Sequence, residues 1–334
     1  MTSRRGSPMP ENARIRMLQR RFPSANIALV AGPRPILVDT GFGSDLPEIE
    51  GLLRELGVPP WRLHLIANTH AHVDHAGGNH GLQQAYGIPV AAGREDADRV
   101  NSRHPNACDA WFLDHPVAHY QVSRVLEDGE ELDTGAVVLR VLATPGHTPG
   151  HLSFYAPAER VLILGDVFHR DDVAWLNLCL GGPDPLEQMM ATLDRLAALP
   201  VAWACSGHGP RIEDFPAALD AARRRCEKWR CQPQKIGWHA CKRIFGYALM
   251  LEGGMDAARI REYLLNAPWF VQSSRKIFER APEEFVEPLV AEMLRSGAAR
   301  WQDGRLVAVT PYTPLPDGWI RPDMRPHLWP PPGK

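Results

Sequence analysis

Thr69-His70-Ala71-His72-Val73-Asp74-His75 gathers three imidazoles and one carboxylate into a single turn of chain. These groups are preferred ligands for zinc and its borderline neighbours. His70 and His72, two apart, can turn toward one ion. Asp74 and His75 can turn toward a second. Three further ligand-type residues stand where apolar runs end beside glycine or proline. His147 lies in Thr144-Pro145-Gly146-His147-Thr148-Pro149-Gly150-His151, Asp166 in Leu164-Gly165-Asp166, and His208 in Ser206-Gly207-His208-Gly209-Pro210. Glycine lets backbone approach a site closely, and proline stiffens the turn. Together the residues make seven ligands, enough for two divalent ions. One grouping sets His70, His72 and His147 on the first ion and Asp74, His75 and His208 on the second, with Asp166 bridging. Positions then stay open for water, the mark of a catalytic rather than a structural site. Zinc is the expected metal, and manganese and iron accept the same ligands.

The elements that must position these residues are legible. The apolar run 63–67 reads as a buried strand ahead of the first cluster, and Gly77-Gly78 and a helical pattern follow it. Residues 27–30 and 36–38 are short strands around a Gly-Pro turn. Leu46, Ile49, Leu52, Leu53 and Leu56 recur at helical spacing, so 45–56 is an amphipathic helix. Strands are expected at 88–92, 137–142, 152–155, 161–164 and 201–204, with helices at 82–86 and 95–100 and another over Leu186 to Leu196. Residues 102–123 mix His104, Cys108, Trp111, Phe112, His115, His119 and Tyr120 on a long loop. Such a loop suits a wall over an active site, or packs its aromatics on the layer below. The loop 175–180 is a second candidate wall.

The chain resembles the metallo-β-lactamase-fold hydrolases. The matching residues are Asp39 in Leu37-Val38-Asp39-Thr40-Gly41, the His70–His75 cluster, His147, Asp166 and His208, spanning roughly 26–210. The resemblance implies an α/β fold, a four-layer αβ/βα sandwich with metals at the upper edge of two sheets. It also implies that Asp39 supports the site by orienting a ligating histidine. After Pro210 the pattern changes to helices at 215–229 and 236–251, around Ile260 to Leu264, and at 283–296. A hairpin about Asp303-Gly304 follows. This region resembles the winged-helix appendage of some family members. The expected division is a disordered tail 1–10, a catalytic domain 11–230, a helical winged-helix-like domain 231–320 and a Pro-rich tail 321–334. From Leu328 onward the chain reads as an extended tail.

Composition sets limits. The 334 residues exceed one typical domain, and 44% hydrophobic content supports a sizeable core. A net charge of -2 gives no electrostatic case for nucleic acid or anionic membrane. The helix 283–296 is acidic, so a structural cap or homodimer surface suits the winged region better than DNA contact. Arg223-Arg224-Arg225 with Lys228 and Arg230 reads as a solvated helix face. The six cysteines lack disulfide-framework spacing and read as reduced thiols of a cytoplasmic protein. Cys226, Cys231, His239 and Cys241 fit no usual zinc pattern. No segment is long and apolar enough to span a membrane, and the first ten residues lack the apolar run of a signal peptide.

The chemistry expected is that of a dinuclear metal-dependent hydrolase. A metal-bound hydroxide attacks the acyl carbon of a small-molecule thioester, lactone or ester. Asp74 passes a proton to the leaving group. His169 stands three residues after Asp166, where lactonases of the resembled family place a tyrosine, and it either hydrogen-bonds the substrate carbonyl or lines the loop. The resemblance points to the glyoxalase II, lactonase and thioesterase branches, although the basic glutathione site of glyoxalase II is not identifiable. Alternatives that use the same ligands are a phosphodiesterase or nuclease and a mononuclear iron persulfide dioxygenase.

Overall fold

The computed structural model describes residues 14–329. The expected tail 1–10 and the last residues of the Pro-rich tail lie outside them. Apolar residues on both faces of short strands build two stacked sheets, as strands covered on both sides require. The first sheet holds β1 (Ile15–Leu18), β2 (Ile27–Val30), β3 (Ile36–Val38), β4 (Leu65–Ala67), β5 (Val90–Gly93) and β6 (Arg124–Leu126), in that spatial order. Its first two pairings are antiparallel and the rest parallel. The second sheet runs β11-β10-β9-β8-β7, from β7 (Glu131–Asp133), β8 (Val138–Ala143), β9 (Leu152–Ala156), β10 (Val161–Gly165) and β11 (Trp203–Ser206). Only β10 and β11 pair in parallel there.

The side-chain period of two sorts residues between layers. Ala28 and Val30 of β2 face the second sheet, in one cluster with Phe154 and Ile163. Ile27 and Leu29 face outward, onto Ile49 and Leu53 of α1 (Leu46–Glu55). The same side carries α2 (Val73–Ala76), α3 (Asn79–Tyr86), α4 (Arg94–Asn101) and α5 (Ala110–Leu113). On the opposite side, Leu162 and Leu164 of β10 meet Met189 and Leu193 of α6 (Pro185–Ala197) and Leu219 of α7 (Phe215–Cys231). The Asp184 carboxylate caps α6 by accepting from the backbone of Leu186 and Glu187, and Asp214 caps α7. The result is the expected four-layer αβ/βα sandwich.

Beyond α7 the chain forms a smaller lobe of α8 (Gln234–Leu251), α9 (Ala257–Asn266), α10 (Pro268–Lys276) and α11 (Pro282–Arg295), closed by the hairpin of β12 (Ala299–Gln302) and β13 (Arg305–Ala308). Asp303 and Gly304 between them sit at φ 50° and 76°, the positive pair that a tight two-residue hairpin needs. The lobe has its own core of Phe245, Trp269, Phe270, Phe285 and Leu289. Helix α10 was not expected. Its Trp269, Phe270 and Val271 are consecutive, so no helical period announces it.

Of the extended tail expected from Leu328, only the first two residues are described: Leu328 closes a short helical turn, and Trp329 has extended backbone, with φ -60° and ψ 142°. Residues 322–324 and 326–328 form short helical turns, and Trp329 is buried, its indole N–H donating to Val117 O at 3.0 Å. Proline governs only backbone shape, so the chain at Trp329 stays extended while its indole surface packs on the first domain.

Candidate metal centre and its cavity

The side chains of interest all hang from strand ends. Asp39 follows β3, Thr69 to His75 follow β4, His147 lies in the β8–β9 turn, Asp166 follows β10, and His208 follows β11. Two glycines make the crowding achievable. Gly165 has φ +61° and a Cβ there would lie 2.7 Å from His151 Nε2, whereas one on Gly207 would lie 1.9 Å from Asp166 Oδ1.

The sequence-derived residues converge. The donor atoms of His70, His72 and His147 lie within 4.8 Å of one another, as do those of Asp74, His75 and His208, and those of His70, His75 and Asp166. In the first set His72 Nδ1 faces His70 Nε2 at 3.1 Å and His147 Nε2 at 3.0 Å. In the second His208 Nε2 is 3.1 Å from Asp74 Oδ2. Asp166 faces both sets, with Oδ1 3.4 Å from His75 Nε2 and Oδ2 3.5 Å from His208 Nε2 and 3.9 Å from His147 Nε2.

The other ring nitrogens are held from behind, which fixes ring orientation and tautomer. His75 Nδ1 donates to Asp39 Oδ2 at 2.8 Å, and Asp39 also accepts from the Thr69 amide and hydroxyl at 2.8 Å each. His147 Nδ1 donates to Trp175 O at 2.7 Å, and His70 Nδ1 lies 3.1 Å from Thr69 Oγ1. His72 Nε2 is 3.3 Å from Asp109 Oδ2. His151 accepts from the Asp166 amide at Nε2, 3.0 Å away, so its Nδ1–H donates to Thr144 Oγ1. Asp39 and Asp109 both sit at positive φ, 61° and 49°, a backbone cost that the surrounding bonds hold in place.

Two acceptor atoms identify what the centre needs. With Nδ1–H committed to Asp39, His75 Nε2 presents a lone pair toward the Asp166 carboxylate, and both His75 Nε2 and Asp166 Oδ1 are buried without a hydrogen-bond partner. Two facing acceptors are reconciled by a proton or a cation. Electrostatics agrees. Burial opposes charge on His75, yet Asp166, Asp39 and Asp74 hold it well above the usual range. Burial likewise opposes ionisation of Asp166 and Asp74, yet the imidazoles around them hold both well below the usual carboxylate range. Burial and the neighbouring imidazoles keep His70 far down, and His147 is pushed down to about 4. His70 and His147 thus stand as neutral imidazoles, and around the buried carboxylates the site draws positive charge onto His75, charge that a divalent cation could supply in the proton's place. The residues present therefore fit a metal centre.

His169 is not among the converging donors. It lines the cavity beside them, its ring 5.4 Å from that of His208 and its Nδ1 buried and unpartnered. Burial pushes it down to about 3, so it stands as a neutral imidazole. The cavity has a volume of about 340 Å³. Trp175 forms one wall, stacked on His72 at 5.6 Å, as expected for its loop. Of the residues 102–123, Leu113 and His115 reach the cavity, whereas Phe112 and Tyr120 pack in the cores below. His115 is buried, its Nε2 has no partner, and burial pushes it down to about 3. Sequence reading missed the roles open to Asp109 and His151, whereas His115 lies where the candidate wall placed it. The one usable signal was general: a ligating histidine needs an acceptor for its second nitrogen. The Cys226, Cys231, His239, Cys241 set forms no donor cluster among the described residues, and His239 instead meets Val173 O at 3.0 Å. Among the described residues no helix is long and apolar enough to cross a membrane.

The family model of the metallo-beta-lactamase superfamily matches residues 20–208. A hydroxyacylglutathione hydrolase of Rhodobacter capsulatus is 38% identical over 173 residues, covering 51% of this chain and 57% of that protein. Its counterpart in Maricaulis maris is 32% identical over 156 residues, covering 47% and 52%. The chain thus spans about half the length of the curated relatives it matches. A metallo-beta-lactamase family protein of Thermus thermophilus aligns over 88% of this chain and 98% of its own, with a TM-score of 0.54 and 26% identity. The Rm3 metallo-beta-lactamase aligns over 66% and 92%, with a TM-score of 0.55 at 24% identity, a likeness of fold.

Proposed function

The chain belongs to the metallo-beta-lactamase superfamily, and from that premise we propose that it is a metal-dependent hydrolase of a small-molecule carboxylic thioester, with esters and lactones as lesser substrates. Two divalent ions, zinc first, would be held by His70, His72 and His147 and by Asp74, His75 and His208, with Asp166 shared. The observation that supports this most is the facing, unpartnered pair of His75 Nε2 and Asp166 Oδ1. The hydrolase names of the relatives point the same way.

When bound, the ions supply Lewis acidity that makes water acidic and withdraws electrons from an acyl carbonyl. The chain's own residues do the rest. Asp39, Thr69, Asp109 and the Trp175 carbonyl hold the imidazoles in fixed orientation, so little reorganisation accompanies reaction. The Asp74 carboxylate, whose Oδ2 faces His208, takes the attacking water's proton and hands it to the departing sulfur. Its depressed pKa makes it a weak base. That suffices where bound ions would make the water acidic, and the sulfur needs little help to leave because a thiol ionises at about 8.5. His169, neutral and lining the cavity, donates one N–H to the substrate carbonyl. Phe22 lies flat on His208, ring centroids 4.6 Å apart, and shields that side from water.

The test is release of free thiol from a panel of thioesters, beside lactones, β-lactams and phosphodiesters. His72→Ala should lose metal and turnover together. His169→Phe should lose turnover and keep its metal. Faster cleavage of phosphodiesters than of any thioester would reject the assignment.

A further inference from the structure

The helical lobe supplies a wall of the cavity onto which the candidate donors open. Ile244 and Met250 of α8 and Ala308 of β13 line it, joined by Leu113 of α5 from the sandwich, and all four belong to one buried hydrophobic cluster that continues into the lobe's core. The cavity's 340 Å³ falls in the range of small-molecule pockets. The cations in the lining are already matched by carboxylates. Arg170 pairs with Asp171 at 2.7 Å, Lys242 with Glu292 at 3.0 Å, and Arg243 with Asp172. An anionic ligand would have to displace one of these carboxylates or lie beside it. The lobe therefore offers apolar surface, not free positive charge. Ile244, Met250 and Ala308 also lie past residue 208, where the family match ends. That part of the wall is outside what the family model describes.

We infer that this wall is an acyl-chain site, and that the substrate's acyl group is an uncharged aliphatic chain seated against Leu113, Ile244, Met250 and Ala308. The inference rests on the hydrolase reading above and narrows its substrate. Water adds across the acyl C–S bond: the C–O bond forms, the C–S bond breaks, and a carboxylic acid and a thiol leave, with no redox partner. Burying each added methylene favours the longer chain by about fourfold, so a hexanoyl thioester, with four more methylenes, should exceed the acetyl one in kcat/KM by roughly 250-fold. Chain length should matter little once it exceeds what the cavity holds.

The experiment has two arms. The first compares acetyl, butyryl and hexanoyl thioesters of N-acetylcysteamine, and a hydroxyacylglutathione, on metal-loaded protein. The second measures by calorimetry the binding of S-ethyl, S-butyl and S-hexyl N-acetylcysteamine, which cannot be hydrolysed, to chelator-treated protein. Both kcat/KM and affinity should climb with chain length, and Ile244→Ala should cut the hexanoyl-to-acetyl ratio about tenfold. A flat series in both arms, or preference for the anionic glutathione thioester over the hexanoyl one, overturns the acyl site. Affinity that climbs with length while no thioester is cleaved upholds the acyl site and rejects the hydrolase reading instead. The wild-type series decides even where the Ile244 variant folds poorly.

Discussion

Replacing Gly207 with alanine sends one methyl group into the middle of the donor cluster. The added Cβ would stand 1.9 Å from Asp166 Oδ1 and 2.7 Å from His75 Cε1. A carbon and an oxygen approach comfortably to about 3.3 Å, so something must move by more than about 1 Å. The loop cannot retreat freely, because the Gly207 N–H donates to Gly165 O at 2.8 Å and its carbonyl accepts from Asn26 N–H at 2.7 Å. The Asp166 carboxylate therefore yields. A displacement on the order of 1 Å at a reacting centre costs about 100-fold in rate, and forcing a methyl into a packed site costs about 1–3 kcal/mol of stability. The assay is metal retained after dialysis together with kcat/KM on a thioester. Gly51→Ala serves as the control. Gly51 lies within α1 with nothing within 4 Å of an added Cβ, so alanine there should add about 0.5–1 kcal/mol of stability and leave activity alone. A Gly207→Ala protein with full metal and full turnover would refute the geometry on which the centre depends.

Three other outcomes are expected. Asp109→Asn weakens the hold on His72 Nε2 and should lower metal affinity about 10–100-fold without unfolding the chain; unchanged affinity in a chelator competition would remove Asp109 from the site. Trp329→Ala empties a buried position and breaks the bond to Val117 O, costing about 3–5 kcal/mol in urea unfolding; a cost below about 1 kcal/mol would mean that the segment merely lies on the surface. In metal-free protein, burial opposes charge on His208 but Asp166 and Asp74 hold it up at about 9. A folded value above the unfolded one gives stability that is complete below about 6.5 and fades as pH climbs toward 9. The urea midpoint of chelated protein should therefore fall across that interval, and a rising midpoint would contradict the charge balance.

How far the sequence could be read differs between layers and site. Strands such as β2 and β10 were plain because contiguous apolar residues mark strands buried on both faces. β1, β6 and β7 carry Arg16, Arg124 and Glu131, so these short strands show no clear run. The ligands were legible because histidine and aspartate at strand ends beside glycine are a chemical signature as much as a structural one. Their supports were not. Asp109 reaches His72 across 37 positions, a distance that no local pattern encodes. The cavity's far wall was equally hidden, because Ile244 and Met250 look like ordinary core residues of α8 until the lobe is seen packed over the sheets.

Elemental analysis of the purified protein tests the paired centre most directly. Two divalent ions per chain, zinc foremost, should survive dialysis, with His72→Ala retaining fewer. A single iron, or a chain that keeps no metal at all, would contradict it.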